Sequence, residues 1–194
     1  LTVTIENALG VPAVWAATNF MAGTLAGLPL NVYRRNKDGR KRVTSGVANL
    51  IHDAPNDFQS SFEWRKYLFD NVFTGGRSFT YVERNASKRP VNLFPLNPTF
   101  MTVRAVGVQR EYVYREPETA EKVYTASEII DIPFMLKPDG CGHRGPIMTN
   151  KDAIGLAIAA SRYGSRFFGN GGVPPFVVTG GFQSPGAMQR AAGD

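Results

Sequence analysis

Helical spacing of apolar side chains marks the N-terminal part of the chain. After Pro12, small or apolar residues recur every three or four positions: Val14, Thr18, Met21 and Leu25. Proline suits the first position of a helix because its missing N–H would have no partner there, and glycine suits the position of Gly27 at the end. The pattern therefore predicts a helix over residues 13–26.

The residues of one helical turn predict the start of a second helix. Ser60 and Glu63 form a Ser-x-x-Glu capping box, in which each side chain bonds the free backbone N–H of the other residue. The predicted helix ends at Gly75-Gly76 and carries two apolar i, i+4 pairs. These pairs are Leu68 with Val72 and Phe69 with Phe73.

Short apolar runs separated by turn residues predict β-structure in two places. Asn36-Lys37-Asp38-Gly39 indicates a hairpin turn, because Asp-Gly supplies the positive φ that such turns need. After Gly76 the regular spacing of turns predicts an antiparallel meander with these extended segments: 78–83, 91–106, 110–115 and 122–134. The predicted fold class is α+β, a mixed helix and antiparallel-sheet domain followed by a long helix and the start of a further strand.

The long helix is predicted to be capped by Thr149 or Asn150 and to run to about Phe168, and it is rich in small residues that permit close approach of another helix. These small residues are Gly155, Ala157, Ala159, Ala160 and Gly164. Arg162 and Arg166 lie one turn apart on this helix and form either a solvated basic stripe or part of a surface packed between neighbours in a ring. The exit from the helix is marked by glycine, asparagine and proline: Gly169, Asn170, Gly171 and Pro174.

The amino-acid composition excludes only a few classes of protein function. An apolar content of 43% and a charged content of 20% are typical of a globular protein and exclude a disordered one. The net charge of +6 allows an anionic partner without requiring one, and no block of five or six like charges occurs. Cys141 is the single cysteine, so an internal disulfide is excluded, and we expect no membrane span and no signal peptide.

A Gly-x-Gly-x-x-Gly motif at Gly140, Gly142 and Gly145 is the main candidate for small-molecule chemistry. It follows an extended run and precedes a helix, as a dinucleotide-binding loop does. However, the next predicted strand ends in Thr179-Gly180 instead of the acidic residue that would hold the ribose. We therefore favour a flexible inter-domain hinge and keep a nucleotide-binding or enzymatic domain as the alternative.

The remaining reactive residues do not form a recognisable catalytic or metal site. Cys141 and His143 are two potential metal ligands, whereas a structural zinc site needs four. His52 beside Asp53 is interpreted as a helix end, and Asp131 is predicted to lie exposed on a strand. The alternation of Phe79 and Tyr81 is interpreted as core filling. We predict no catalytic, metal-binding or cofactor-binding residue.

The order of these features resembles the portal proteins of tailed bacteriophages, of the long-tailed-phage type. The resemblance runs over nearly the whole chain and is carried, in order, by the following segments: Leu25–Arg34, Asn49–Asn56, Phe62-Glu63 with Gly75-Gly76, Leu93–Pro98, Glu128–Ile132, and Ala153–Ala157 with Ser165–Gly171. The chain departs from the family at His143-Arg-Gly-Pro146, where the family usually has Gly-x-Ser-Pro.

The resemblance implies a structural role without enzymatic activity or a cofactor. Portals are ring-shaped homo-oligomers, typically of twelve subunits, at one vertex of the virion capsid, and they assemble in the host cytoplasm. They pass double-stranded DNA and bind the terminase large subunit, the major capsid protein and head–tail connector proteins. Residues 1–136 would then be the wing, 137–145 a linker, 146–169 the first stem helix and 170–194 the start of a clip that is truncated here. The small residues of the helix would form the oligomer interface, Arg162 and Arg166 would face DNA, and Gly169 to Pro174 would form the stem exit.

Overall fold

The computed structural model describes residues 2–37, 39–172 and 184–191. Its elements follow the chain order α1 (Ile5–Leu9), α2 (Pro12–Gly27), β1 (Val32–Asn36), β2 (Gly39–Val43), α3 (Val47–His52), α4 (Ser61–Thr74), β3 (Arg77–Arg84), β4 (Pro90–Leu96), β5 (Met101–Val106), β6 (Gln109–Tyr114), β7 (Lys122–Thr125), β8 (Ile129–Pro133), α5 (Pro146–Thr149), α6 (Lys151–Gly169) and α7 (Pro185–Ala191). Two compact units are formed by Leu1–Ile158 and by Ala159–Asp194.

Helix α2 confirms the prediction for residues 13–26, with Pro12 as its first residue and Leu28 as its C-cap. Its buried face differs from the apolar stripe in the sequence, because the fully or nearly buried residues are Thr18, Ala22 and Ala26. These small side chains let α2 pack closely on α4. Met21 and Leu25 remain partly exposed, and Trp15 and Phe20 are more exposed still.

The capping box at the start of α4 is present as predicted. The backbone N–H of Glu63 donates to Ser60 Oγ at 3.2 Å, and the N–H of Ser60 donates to Glu63 Oε2 at 2.8 Å. The Ser60 amide and hydroxyl lower the pKa of the Glu63 carboxyl. Trp64, Leu68 and Val72 face the core, and the Phe69 and Phe73 rings stack at 6.3 Å.

Three antiparallel sheets account for the strands described. The hairpin β1–β2 forms one sheet, β4-β3-β8 a second and β5-β6-β7 a third. The extended run predicted over 91–106 is divided by a 3-10 turn at Pro98–Phe100, and the run over 122–134 is divided into β7 and β8. One core cluster joins Trp64 and Leu68 of α4 to Val82 and Leu93 of the sheet, and a second lies around Phe79, Tyr112 and Ile129.

The long C-terminal helix α6 begins at Lys151, directly after the cap predicted at Thr149 or Asn150. A single turn, α5, is separated from α6 by Asn150, whose side chain donates back to the Pro146 carbonyl at 2.9 Å. The carbonyl of Asn150 then accepts the N–H of Ile154 at 3.1 Å and so begins α6. Pro174 and the predicted strand after it lie outside the described residues. Within those residues, no helix has the length and apolar character needed to cross a lipid bilayer.

Candidate assembly interface

The first two turns of α6 are attached to the core of the first unit. Ile154 and Ile158, one turn apart, are 9% and 8% exposed and join Ile147 of α5 and Ala8 of α1 in one apolar cluster. Burying an isoleucine side chain contributes about 1.5–3 kcal/mol. The isoleucines therefore fix which side of the helix start faces its own chain.

Gly155, one of the predicted interface residues, also faces its own chain. A Cβ at Gly155 would lie 3.4 Å from Val3 Cγ2, in van der Waals contact with the N-terminal segment. Its lack of a side chain therefore serves close packing within the subunit. Ala157 differs, because it is exposed.

In the second unit the other predicted residues divide between two faces of the helix. Ala160 and Gly164 are four residues apart and share one face. Ala159, Arg162 and Arg166 follow each other at spacings of three and four and share another. Both arginines are exposed and so is Ala159. A Cβ at Gly164 would meet no heavy atom of the described chain within 4 Å.

Aromatic side chains are concentrated in the last turns of α6. Tyr163 is 67% and Phe168 76% exposed. The rings of Tyr163 and Phe167 stack at 6.3 Å with an interplanar angle of 10°. Exposed aromatic side chains at the end of a helix are typical of a surface that meets a partner.

The exit from α6 is closed by a Schellman motif. The N–H of Gly172 donates to the Phe167 carbonyl at 2.9 Å, and the N–H of Gly171 donates to the Phe168 carbonyl at 3.0 Å. Gly171 has a φ of 81°, which a residue with a side chain rarely adopts. The helix therefore ends at Gly169, as the glycine and asparagine residues predicted.

A buried ion pair connects the sheet to the segment that precedes α5. Arg77 and Asp131 have side-chain exposures of only 2% and 7%. Arg77 Nε donates to Asp131 Oδ1 at 2.7 Å and Arg77 Nη2 donates to Asp131 Oδ2 at 2.6 Å. Arg77 Nη1 donates to the Cys141 carbonyl, so all three nitrogens of the guanidinium group are bonded.

Three further residues surround this ion pair of Arg77 and Asp131, which we name the anchor. Tyr112 Oη donates to Asp131 Oδ2 at 3.0 Å, and Arg110 approaches the same oxygen at 3.6 Å. The guanidinium of Arg77 lies 5.2 Å from the centre of the Phe79 ring. Burial, followed by the charge of Asp131, raises the pKa of the Tyr112 hydroxyl. The prediction that Asp131 is exposed was wrong, because β8 places that side chain beside β3 and β6.

The glycine-rich segment is packed tightly against the end of α4. A Cβ on Gly145 would clash with the carbonyl group of Gly75, and a Cβ on Gly76 would clash with the backbone of Gly145. The N–H of Phe134 donates to the Gly76 carbonyl at 2.8 Å. These contacts contradict the flexible hinge expected for this segment.

The same segment does not have the properties of a phosphate-binding loop. Asp139 Oδ1 accepts the backbone N–H groups of Cys141 at 2.9 Å and of Gly142 at 2.7 Å. These two bonds lower the pKa of the Asp139 carboxyl, so a negative charge already occupies the donors that would bind a phosphate. The strand before the loop also belongs to an antiparallel sheet. Nothing in this geometry favours the nucleotide-binding alternative.

The histidines have structural partners. His143 Nε2 donates to the Gly75 carbonyl at 3.2 Å, and burial, followed by the nearby charge of Arg77, lowers its pKa. His52 ends α3, where Nδ1 lies 3.1 Å from the Leu30 carbonyl and Nε2 lies 3.3 Å from Arg42 Nη2. In the described part of the chain, no three His, Cys, Asp or Glu side chains are grouped as a metal site would require.

Comparison with known proteins gives the same assignment as the order of elements. The model of a family described as phage portal protein matches residues 12–193. The chain belongs to the phage portal protein family. It is 32% identical to the probable portal protein of Streptomyces phage phiC31, with 97% of this chain and 42% of the relative covered. It is 29% identical to the portal protein of Enterobacteria phage HK97, with 96% of this chain and 44% of the relative covered. The chain thus spans less than half the length of these curated relatives.

Solved portal-type structures share the fold. The neck of a native gene transfer agent (GTA) particle, computed with C12 symmetry, superposes with a TM-score of 0.71 at 17% identity, covering 97% of this chain and 52% of the other. An HK97-family phage portal protein from Corynebacterium diphtheriae superposes with a TM-score of 0.63 at 15% identity, covering 100% of this chain and 60% of the other. The α+β class predicted from the sequence is therefore confirmed.

Two features of this portal-family chain escaped the sequence analysis. The anchor joins residues 54 positions apart, and the only local sign was an arginine directly after Gly75-Gly76. The second feature is the pairing of basic residues across the hairpin β1–β2, since the turn was predicted but the strand pairing that brings these residues together was not.

Proposed function

We propose that this chain supplies the wing and first stem helix of a subunit of a ring-shaped phage portal, through which DNA is packaged and ejected. The family match over residues 12–193 carries the proposal. It is supported by the solved neck particles, which were computed with C6 and C12 symmetry. In the proposal the wing comprises residues 1–136, the linker 137–145, the stem helix 146–169 and the beginning of the clip 170–194.

The two faces of α6 in the second unit are assigned to two different contacts in a ring. In a closed ring each subunit meets its two neighbours through different surfaces. We assign Ala160 and Gly164 of the second unit to close helix contact with a neighbouring subunit. Ala157 of the first unit is assigned, separately, to an intersubunit contact. Ala159 lies on the face of Arg162 and Arg166, which we assign to the DNA. Gly155 is excluded from the intersubunit contact, because it packs on Val3.

The ring is tested by imaging the protein that the natural reading frame encodes. Negative-stain micrographs should show particles with a central hole, and a strictly monomeric protein would overturn the proposal. Ala160→Leu combined with Gly164→Leu should reduce the fraction of rings. The control, Ser161→Leu with Ser165→Leu, introduces the same two leucine side chains at exposed serines and should not. Rings unaffected by the first pair would remove the assigned contact but leave the ring.

The remaining assignments concern the DNA and the protein partners. Arg162→Gln with Arg166→Gln should lower the DNA retained per purified particle, and unchanged DNA content would remove the role assigned to these arginines. We also propose that the protein is a virion component, assembled in the host cytoplasm, that binds the terminase large subunit, the major capsid protein and head–tail connectors. Its absence from purified virions, determined by mass spectrometry, would contradict this.

A further inference from the structure

The hairpin β1–β2 contains most of the excess positive charge of the chain. Residues 32–43 include six of the 22 Lys and Arg residues and one of the 16 Asp and Glu residues, a net charge of +5 in a chain whose total is +6. The six basic residues are Arg34, Arg35, Lys37, Arg40, Lys41 and Arg42. All of them are exposed.

Strand pairing places like charges directly opposite each other. Arg34 is paired with Lys41, and Arg35 is paired with Arg40. Tyr33 lies opposite Arg42, so Tyr33, Arg35, Arg40 and Arg42 share one face of the ribbon, and Arg34 and Lys41 share the other. Like charges opposite each other in an antiparallel pair are unfavourable to folding.

The described chain does not offset these charges. Among the residues that the structure describes, no carboxylate forms an ion pair with a hairpin cation. The only partner seen for their side chains is the ring of His52, beside Arg42. Val32 and Val43 at the base are the half-buried members of the hairpin. A basic ribbon that is exposed on both faces, and that forms no ion pair with a carboxylate of the described residues, indicates an anionic partner outside the subunit.

The side chains of the hairpin and their spacing favour one class of anionic partner over the others. A protein interface would require an apolar centre, and in the described hairpin Tyr33 is the one large apolar side chain apart from the valines at the base. Single-stranded nucleic acid is bound through several aromatic side chains that stack on the bases, and one tyrosine does not supply them. Cations about 5 Å apart across the strands and about 7 Å apart along them suit a continuous row of phosphates. A two-stranded ribbon also fits the major groove of a duplex.

We infer that the β1–β2 hairpin binds the phosphate backbone of double-stranded DNA without sequence preference. This contact is separate from the one proposed for Arg162 and Arg166, and it does not depend on formation of a ring. Its failure and the failure of the proposed function are therefore distinguishable, because one is measured as DNA affinity and the other as oligomeric state.

The test is a salt titration of the chain with a short mixed-sequence DNA duplex, followed by fluorescence anisotropy between about 50 and 200 mM salt. The test variant is Arg34→Gln, Arg35→Gln, Arg40→Gln and Lys41→Gln. The control variant is Lys88→Gln, Arg89→Gln, Arg115→Gln and Lys122→Gln, which removes the same charge from exposed positions elsewhere. Each phosphate contact that is lost should reduce the slope of log Kobs against log[salt] by about 1.

In the hairpin variant, the slope of log Kobs against log[salt] should therefore be smaller by about 3 to 4, and the affinity at low salt should fall at least about tenfold. In the control variant the slope should stay within about 1 of the parent value. Equal losses in both variants, or no loss in the hairpin variant, would overturn the inference. Equal or tighter binding of a single strand of the same length would overturn the choice of duplex DNA.

Unchanged DNA binding combined with loss of self-association in the hairpin variant would show that the hairpin meets an acidic surface of another copy. Circular dichroism verifies that each variant is folded. If the fourfold variant does not fold, Arg35→Gln with Arg40→Gln tests the same face, with Arg115→Gln and Lys122→Gln as its control.

Discussion

Arg77 and the hairpin arginines use the same side chain in opposite ways. Arg77 is 2% exposed, and its nitrogens are bonded to Asp131 and to the Cys141 carbonyl. Arg34, Arg35 and Arg40 are exposed, and no carboxylate in the described chain forms an ion pair with them. A buried guanidinium whose three nitrogens are each bonded within the chain is not accessible to a ligand. Partner binding is therefore to be sought at the exposed, unneutralised charges.

Substitutions in these two regions should also affect the free energy of unfolding in different ways. Removing Arg77 leaves the buried Asp131 carboxylate with Tyr112 and the more distant Arg110 in place of its bidentate partner, which is strongly unfavourable. Removing an exposed cation from the hairpin relieves repulsion with the residue opposite. Substitutions in the two regions should therefore change stability in opposite directions, and this difference can be measured in one unfolding assay.

The largest effect is expected at the anchor. Arg77→Met leaves Asp131 buried without its bidentate partner and should lower the free energy of unfolding by about 3–5 kcal/mol in urea denaturation. Arg77→Met combined with Asp131→Leu should recover most of that loss, because no buried charge remains unpaired. A loss below about 1 kcal/mol in the single variant would contradict the structural role of the anchor.

The close approach of Gly145 to Gly75 should give the next effect. Gly145→Ala places a methyl group against the Gly75 carbonyl and should lower stability by about 3 kcal/mol, again in urea denaturation. Gly27→Ala is the matched control, because a Cβ there meets nothing within 4 Å, and it should change stability by no more than about 1 kcal/mol. Similar values for both would show that the segment is free to move away from α4.

The hairpin should respond with the opposite sign. Arg35→Thr combined with Arg40→Thr replaces two like charges with a cross-strand threonine pair and should raise stability by about 0.5 kcal/mol. The gain should shrink as salt is added, because salt screens the repulsion that the substitution removes. A loss above about 1 kcal/mol would mean that these arginines have internal partners, which would make the two regions alike.

The smallest expected effect is a pH dependence of stability that arises from His143, near the anchor. The pKa of His143 is lower in the folded than in the unfolded chain, so the neutral ring is favoured by folding. Its contribution to stability is complete above the unfolded value near 6.5 and is lost as the pH falls through the folded value. His143→Gln should flatten this part of the stability profile. An unchanged slope would show that His143 is not desolvated.

Local signals predicted the elements well, and long-range pairing decided the rest. The ends of α2 and α4 follow from Pro12, the Ser60–Glu63 capping box and Gly75, each of which acts within one helical turn. The buried face of α2 could not be obtained this way, because α4 approaches its small residues instead of its larger apolar ones. Asp131 was misplaced for the same reason, since alternation along β8 does not reveal that Arg77 lies across the sheet.

The sequence by itself determined the α+β class, the boundaries of α2 and α4, the hairpin turn and the resemblance to portal proteins, because these depend on residues close together in the chain or on their order. It also supplied the number of charges in the hairpin. Only the tertiary structure decided which arginine is neutralised by a buried carboxylate and which arginines face each other across a ribbon without one. The physical reason is that charge balance depends on distance in space, and antiparallel pairing and sheet packing set that distance.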